Sequence, residues 1–431
     1  MAAHFFNEFT PSTIEEWEER LNKDLKGENP RQKLTFHDEI EVISFSAYHN
    51  EHQIESSDPG SPPYLRGSFS KDNAWVQLAK VIGNSPSEMN KKALHLLMNG
   101  ATGLIIDCKK YSPNECQKIL ADIQLEYIST TFICHNDEQL SFLTDNIKNV
   151  SCSIILKHIT KINLDLGVRT NLVDGTEVQR IGGNSMQEIA YLLHKGHEEL
   201  YKLLSAGISI DDATPKILFK MGIGSNYFFQ IAKQRVFRKL WSQVVDAYQP
   251  IHECSKAPYV TAETGLLNKS LKDPHTNLLR QTTEALSAIV GGINELHIQP
   301  YNSSAQKANN NQAQRLALNI GLILQEESYL DKVIDPVGGS YSIEKLTQTL
   351  TQKAWSLFQE IEQNGIELLK SKISTTRSTR IRNFENHSFC LIGINKYFNE
   401  DQNQAAWLPP EKLTLGEELI LDRDCKIENP Q

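Results

Sequence analysis

The sequence predicts an α/β protein: a (β/α)8 TIM barrel with an N-terminal extended or helical arm and a short C-terminal tail. Three observations carry this expectation. Short β-branched runs alternate with amphipathic helical segments, the rhythm of a parallel sheet covered by helices. The alternation repeats too often for a small sheet, so the barrel leads and an open doubly wound sheet is the alternative. The 431 residues suffice for one large barrel with appendages, and no period of a solenoid or propeller is present. The expected division is 1–60 for the arm, 61–370 for the barrel and 371–431 for the tail.

In the arm, Ser12 and Thr13 can cap a helix whose first turn holds Glu15 and Glu16. Trp17 and Leu21, four apart, give it one apolar stripe, and Gly27 and Pro30 end it. The run 56–64 (SSDPGSPPY) is turn-rich and closes the arm. Strands are then expected at 78–81, 103–108, 130–134, 151–156 and 162–166, with helices at 89–100 and 114–123. Long amphipathic helices are expected at 186–206 and 227–247. A helix over 277–293 stops at Gly291-Gly292, and the period-two run 295–301 reads as a strand. A polar loop at 302–312 precedes helices at 313–327 and 343–364, and the tail begins with basic residues from 371.

Composition excludes several functions. Lys plus Arg is 44 and Asp plus Glu 53, so the net charge is 44 − 53 = −9, unsuited to nucleic acid or an anionic membrane. No run reaches the 18 or so apolar residues of a membrane span, and the first residues lack the pattern of a secretory signal. Seven cysteines without a CxxC fit a reducing cytoplasm.

Common catalytic signatures are absent, among them GxxxxGK[ST], GxGxxG, HExxH and GxSxG. His194 and His197 could share a helix face as metal ligands, but KGHEE reads as a solvated helix end. Cys108 reads as a buried thiol without an activating partner. Asp273-Pro274-His275 superficially matches the Asp-x-His-x-x-Gly signature of cobalamin binding, but Leu278 stands where the glycine belongs, so Asp273 reads as a turn or cap residue. No metal site is expected.

Several segments together resemble the methylmalonyl-CoA mutase family. WEERLNKDLKG (17–27) is similar to its N-terminal "W…KDLKG" arm, and PPYLRG (62–67) to its "PYxRG" lead-in to the first barrel strand. QEIAYLLHKGHEEL (187–200) and NYFFQIAKQRVFRKLW (226–241) resemble a helix pair with the pattern "FFxEIAKxRAxRxLW". DPHTNLLRQTTEALSAIVGGINELHIQPYN (273–302), RLALNIGLILQEES (315–328) and DPVGGSYSIEKLT (335–347) follow in family order.

The departures are informative. Catalytic chains of the family carry "SGYHMxEAG", and its Tyr-His positions fall here on Thr176 and Glu177. The family histidine binds the substrate carbonyl; an ionised glutamate cannot donate that hydrogen bond. "RPWTIRQYAG" has become DNAWVQLAK, and "QTSGWSLT" is lost in AETGLLNKS (262–270). "GGTQSLH" has become GGINELH, which puts Asn294 at a degenerate cofactor position.

The resemblance therefore implies the small (β) subunit of a heterodimeric mutase that interconverts methylmalonyl-CoA and succinyl-CoA. This barrel would be non-catalytic, without the flavodoxin-like cobalamin domain. Adenosylcobalamin would be held by the partner large subunit, with Trp17 and Leu21 as interface candidates. An acyl-CoA remains a further possible ligand. The alternatives are a split acyl-CoA mutase barrel served by a separate cobalamin subunit, and a stand-alone acyl-CoA-binding scaffold.

Overall fold

A computed structural model describes residues 13–28, 57–146, 152–156, 168–270, 274–303, 311–397, 413–414 and 420–421. Eight parallel strands form one sheet: β1 (Val76–Val81), β2 (Gly103–Asp107), β3 (Ser129–Cys134), β4 (Cys152–Leu156), β5 (Asn171–Asp174), β6 (Ile217–Ile223), β7 (Tyr259–Thr264) and β8 (Glu295–His297). Their order, β4-β3-β2-β1-β8-β7-β6-β5, brings the first strand beside the last. Among the described residues, closure between β4 and β5 rests on one isolated parallel bridge, Ser153 to Arg169, with Ile154 N–H donating to the Arg169 carbonyl at 2.7 Å. The result is the expected (β/α)8 barrel.

The helices form because their caps and apolar stripes agree. The arm helix α1 (Ile14–Asp24) opens on a capping box between Thr13 and Glu16. Helix α2 (Pro86–Met98) is capped by Ser85 with proline in its first turn, and α3 (Pro113–Ile119) by the Ser112–Glu115 box. After α4 (Asp137–Asn146) comes the one-turn α5 (Thr176–Arg180). The long α6 (Ser185–Ser205) starts on reciprocal 3.0 Å bonds between Asn184 and Gln187. Then follow α7 (Ile210–Ala213), α8 (Tyr227–Asp246), α9 (Thr276–Val290) and α10 (Asn311–Leu322), which runs on into a π-helical turn at Ile323–Glu327. Helix α11 (Tyr341–Asn364) packs on α6 and α8, and α12 (Ile366–Glu385) folds back against it through Gly365 at φ +83°. The basic run from 371 is thus part of α12.

The expectations differ from the structure in defined places. Strands β5, β6 and β7 and helix α4 were not expected. The run 295–301 is a strand only to His297, before Pro300 removes a ladder donor. The strand expected at 162–166 and the cap role of Asp273 fall outside the described residues; the structural cap of α9 is His275.

Outward-facing strand residues build two apolar cores. One joins β1 to β4 with their helices, around Leu104, Ile106, Phe132 and Ile154. The larger joins β5 to β8 with α6, α8, α9 and α11, around Phe219, Phe237 and Trp241. Phe219 meets Trp241 and Phe237 edge-on at 4.6 and 4.8 Å between ring centres.

Candidate functional site

In a barrel of this kind chemistry belongs at the C-terminal ends of the strands, where several inward-facing side chains here are charged. Asp174 ends β5, Lys220 lies opposite it on β6, and Glu263 on β7 lies opposite His297 on β8. Lys220 Nζ donates to Glu263 at 2.7 Å, Arg180 Nη2 to the same carboxylate at 2.8 Å, and His297 Nδ1 lies 3.2 Å from it. Lys220 is also 3.9 Å from Asp174. Burial opposes a charge on Glu263, but Lys220, His297 and Arg180 outweigh it and hold the carboxyl well below the usual carboxylate range. Burial likewise opposes the charges on Lys220 and Arg180, and Glu263 with Asp174 reverses this, so both stay protonated. Across the mouth, His135 Nε2 lies 3.0 Å from Asp107.

Helix α5 covers this network. Gln179, 7% exposed, lies over three glycines at the ends of β6 and β7. A Cβ on Gly265 would stand 2.3 Å from its Oε1, and one on Gly222 2.6 Å away. Those glycines let the helix sink into the mouth and place Arg180 on Glu263. At the opposite end of the axis, buried Glu295 accepts from Ser129 Oγ at 2.6 Å and from Tyr259 O–H at 3.0 Å. Arg169 stacks 3.4 Å above the Tyr259 ring. At both ends of the barrel axis the charged side chains are therefore paired with groups of the protein itself.

Thr176 and Glu177 both lie in α5. Thr176 is buried and donates to Asp174 at 2.5 Å, so its hydroxyl serves the helix start, while Glu177 is half-buried. Asn294 is not brought near them. It precedes β8 at the N-terminal end, where its Oδ1 accepts from Val260 N–H at 2.9 Å and its Nδ2 donates to Ser68. Trp17 and Leu21 lie half-exposed on α1.

The solvated-helix reading of His194 and His197 is corrected. His194 is only 9% exposed, and its Nδ1 lies 2.6 Å from Glu362 on α11. His197 lies 3.2 Å from the same carboxylate and 2.8 Å from the Tyr248 hydroxyl. The pair joins two helices. Among the described residues, no three His, Cys, Asp or Glu side chains are placed to hold a metal ion. Cys108 is buried: its hydrogen bond with Cys116 favours the thiolate, but the one with Cys134 and burial prevail and push the thiol up to about 12.

The sequence reading missed Arg180, Lys220, Glu263 and His297. A signal existed: a lysine inside the apolar run ILFKMGI and a glutamate inside YVTAET are what an inward-facing charge in a strand looks like.

Residues 121–419 match the family model described as methylmalonyl-CoA mutase. The methylmalonyl-CoA mutase small subunit of Porphyromonas gingivalis is 31% identical over 467 residues, which cover 97% of this chain and 74% of that one. The methylmalonyl-CoA mutase of Rhizobium meliloti is 32% identical over 237 residues, 53% of this chain and 33% of that one. The mitochondrial methylmalonyl-CoA mutase of Bos taurus is 29% identical over 349 residues, 77% of this chain and 45% of that one. The chain thus spans most of the small subunit but less than half of the other two relatives. Together with the barrel, these similarities establish that the chain belongs to the methylmalonyl-CoA mutase family.

Proposed function

We propose that this chain is the small subunit of a heterodimeric methylmalonyl-CoA mutase, non-catalytic itself, and that it stabilises a large subunit that carries the substrate and adenosylcobalamin in the cytoplasm. One observation supports this above the others: at the barrel mouth Arg180 and Lys220 are spent on Glu263, and Gln179 of α5 packs over the ends of β6 and β7. Radical chemistry on an acyl-CoA needs a water-free cavity with the carbonyl and carboxylate of the substrate anchored. Here the acids and bases at that point are paired with one another.

Neither His297 nor the His194–His197 pair fits the cobalt of a corrin cofactor. A cobalt ligand needs a histidine nitrogen oriented by a second-shell carboxylate and free access to the metal. His297 stands beneath α5 with Nδ1 on Glu263, and His194 and His197 are tied to Glu362 on the barrel flank.

The test is reconstitution. The purified chain, given adenosylcobalamin and methylmalonyl-CoA, should show no turnover and no histidine-ligated cobalt spectrum. Added to a mutase large subunit, it should form a stable complex and raise that subunit's unfolding temperature by mass action. Turnover by the isolated chain would overturn the non-catalytic reading, and absence of complex formation would overturn the subunit reading.

A further inference from the structure

On the barrel flank a short chain of polar contacts ties α6 to α11. Glu362 of α11 faces His194 Nδ1 at 2.6 Å with one oxygen and His197 Nδ1 at 3.2 Å with the other. The two rings share that carboxylate, but their second nitrogens meet different groups. His197 Nε2 lies 2.8 Å from the Tyr248 hydroxyl. A hydroxyl donates as well as accepts, so a neutral His197 is fully bonded: its Nδ1–H donates to Glu362 and its bare Nε2 accepts from the phenol. His194 Nε2 instead lies 3.4 Å from Glu198 Oε1, one turn further along α6. An ionised carboxylate only accepts. A neutral His194 that donates to Glu362 therefore points a lone pair at Glu198, whereas a ring with two protons suits both carboxylates.

The surroundings favour that second proton. The His194 side chain is 11% exposed, so its two carboxylates are poorly screened by solvent. Lys195 Nζ, 2.8 Å from Glu198, offsets one of them, and the second ring proton offsets the other. The groups that face the cluster keep their charge states near neutrality. Burial opposes the charge on Glu198, but Lys195, His194 and Lys202 outweigh it and lower its pKa. Tyr248 is raised by burial, Glu362 and Tyr201, and Tyr191, one turn back on α6, by burial, Glu177, Asp174 and Glu198. Histidine is the side chain whose charge changes between about pH 5 and 8.

We propose that His194 is a proton-dependent latch. With both ring nitrogens protonated it binds Glu198 and Glu362 together and holds α11 on α6. Loss of the second proton as pH rises turns the Glu198 contact repulsive and loosens α11. Helix α12 folds back on α11 through Gly365, so the released unit includes both helices.

Hydrogen exchange of the full chain alone reads the latch, independently of the subunit reading. Protection factors are already corrected for the intrinsic pH dependence of exchange. Those of the α11 amides from Leu357 to Ile361 should fall at least about threefold from pH 6 to pH 8.5, relative to amides in α9. His194→Gln retains a donor for Glu362 without a titrating ring and should show no such fall. The Glu198 side chain is 41% exposed, so Glu198→Gln keeps the fold. Its amide can donate to a bare Nε2, and the fall should again vanish. Glu199→Gln, the same charge change one residue later, should leave the fall intact. Wild-type protection that does not change with pH, or a fall that persists undiminished in Glu198→Gln, would overturn the latch.

Discussion

Glu263 holds three cationic or proton-bearing partners on one buried carboxylate. Removing one side of such a network leaves uncompensated buried charge, so Glu263→Gln should cost roughly 3–5 kcal/mol in urea unfolding at pH 7. The pH dependence follows from its depressed pKa. The stabilisation is complete above the unfolded carboxylate value of about 4.3 and disappears as pH falls through the lower folded value. The gap between wild type and variant should therefore close in acid; a gap that persists unchanged at pH 3 would rule out ionisation as its source. A second residue limits space instead of charge. A Cβ on Gly103 would stand 2.7 Å from Leu78 and Val76 side-chain atoms and 2.8 Å from the Ser129 carbonyl. Backbone cannot yield cheaply, so Gly103→Ala should cost about 1–3 kcal/mol in the same assay. Neither effect was legible in the sequence, because both depend on which face of a strand meets the barrel axis.

Elements were legible in proportion to their periodicity. The long helices around Tyr191 and Phe237 announce themselves by apolar stripes, and the capping box of the arm helix falls where Thr13 suggests. The missed strand β5 has four residues and ends on Asp174, while Lys220 and Glu263 interrupt the apolar runs of β6 and β7, so the same residues that build the mouth hide the strands. Elements are also joined by buried charge. Glu188 on α6 accepts from Lys233 on α8 at 2.8 Å and from Gly222 N–H on β6 at 2.8 Å, and Lys233 donates to the Gly222 carbonyl. Glu188→Leu or Lys233→Met alone should destabilise by roughly 3–5 kcal/mol, and the double variant by less than the sum, since it removes both buried charges. A strictly additive double-mutant cycle would show that the pair is not coupled.

At the scale of the molecule, the blocks that carry the family resemblance converge on one scaffold knot. Arg238 of the FFQIAKQRVFRKLW segment lies among the carbonyls of Tyr64, Leu65, Gly291 and Gly292. Burial lowers its pKa to about 9, against the pull of Asp335. Arg235 pairs with Asp335 and Glu344, and Arg66 reaches Asp335 at 3.1 Å. Four separate sequence blocks thus meet below the barrel, opposite the mouth, where recurrent residues serve stability. That is why the family was readable while the fate of the site was not: the recognisable residues hold the frame. Partnership is tested at the same scale. Trp17→Ala should weaken binding to a large subunit by at least about tenfold, the effect of losing about 1.4 kcal/mol. Unchanged affinity in a titration would remove the arm from the interface.

The ring of strands has one thin link. Among the described residues, a single bridge at Ser153 and Arg169 does between β4 and β5 what five register pairs do between β3 and β4. The three-pair β1–β8 seam lies diametrically opposite, and each arc of four strands owns a separate apolar core. The barrel is therefore a split ring of two half-shells that can unzip in sequence. Native-state hydrogen exchange should find the amides of Ile154 and Arg169 opening at lower free energy than those of Phe219 or Ala262 in the larger arc. Uniform protection around all eight strands would mean that the ring opens only as a whole.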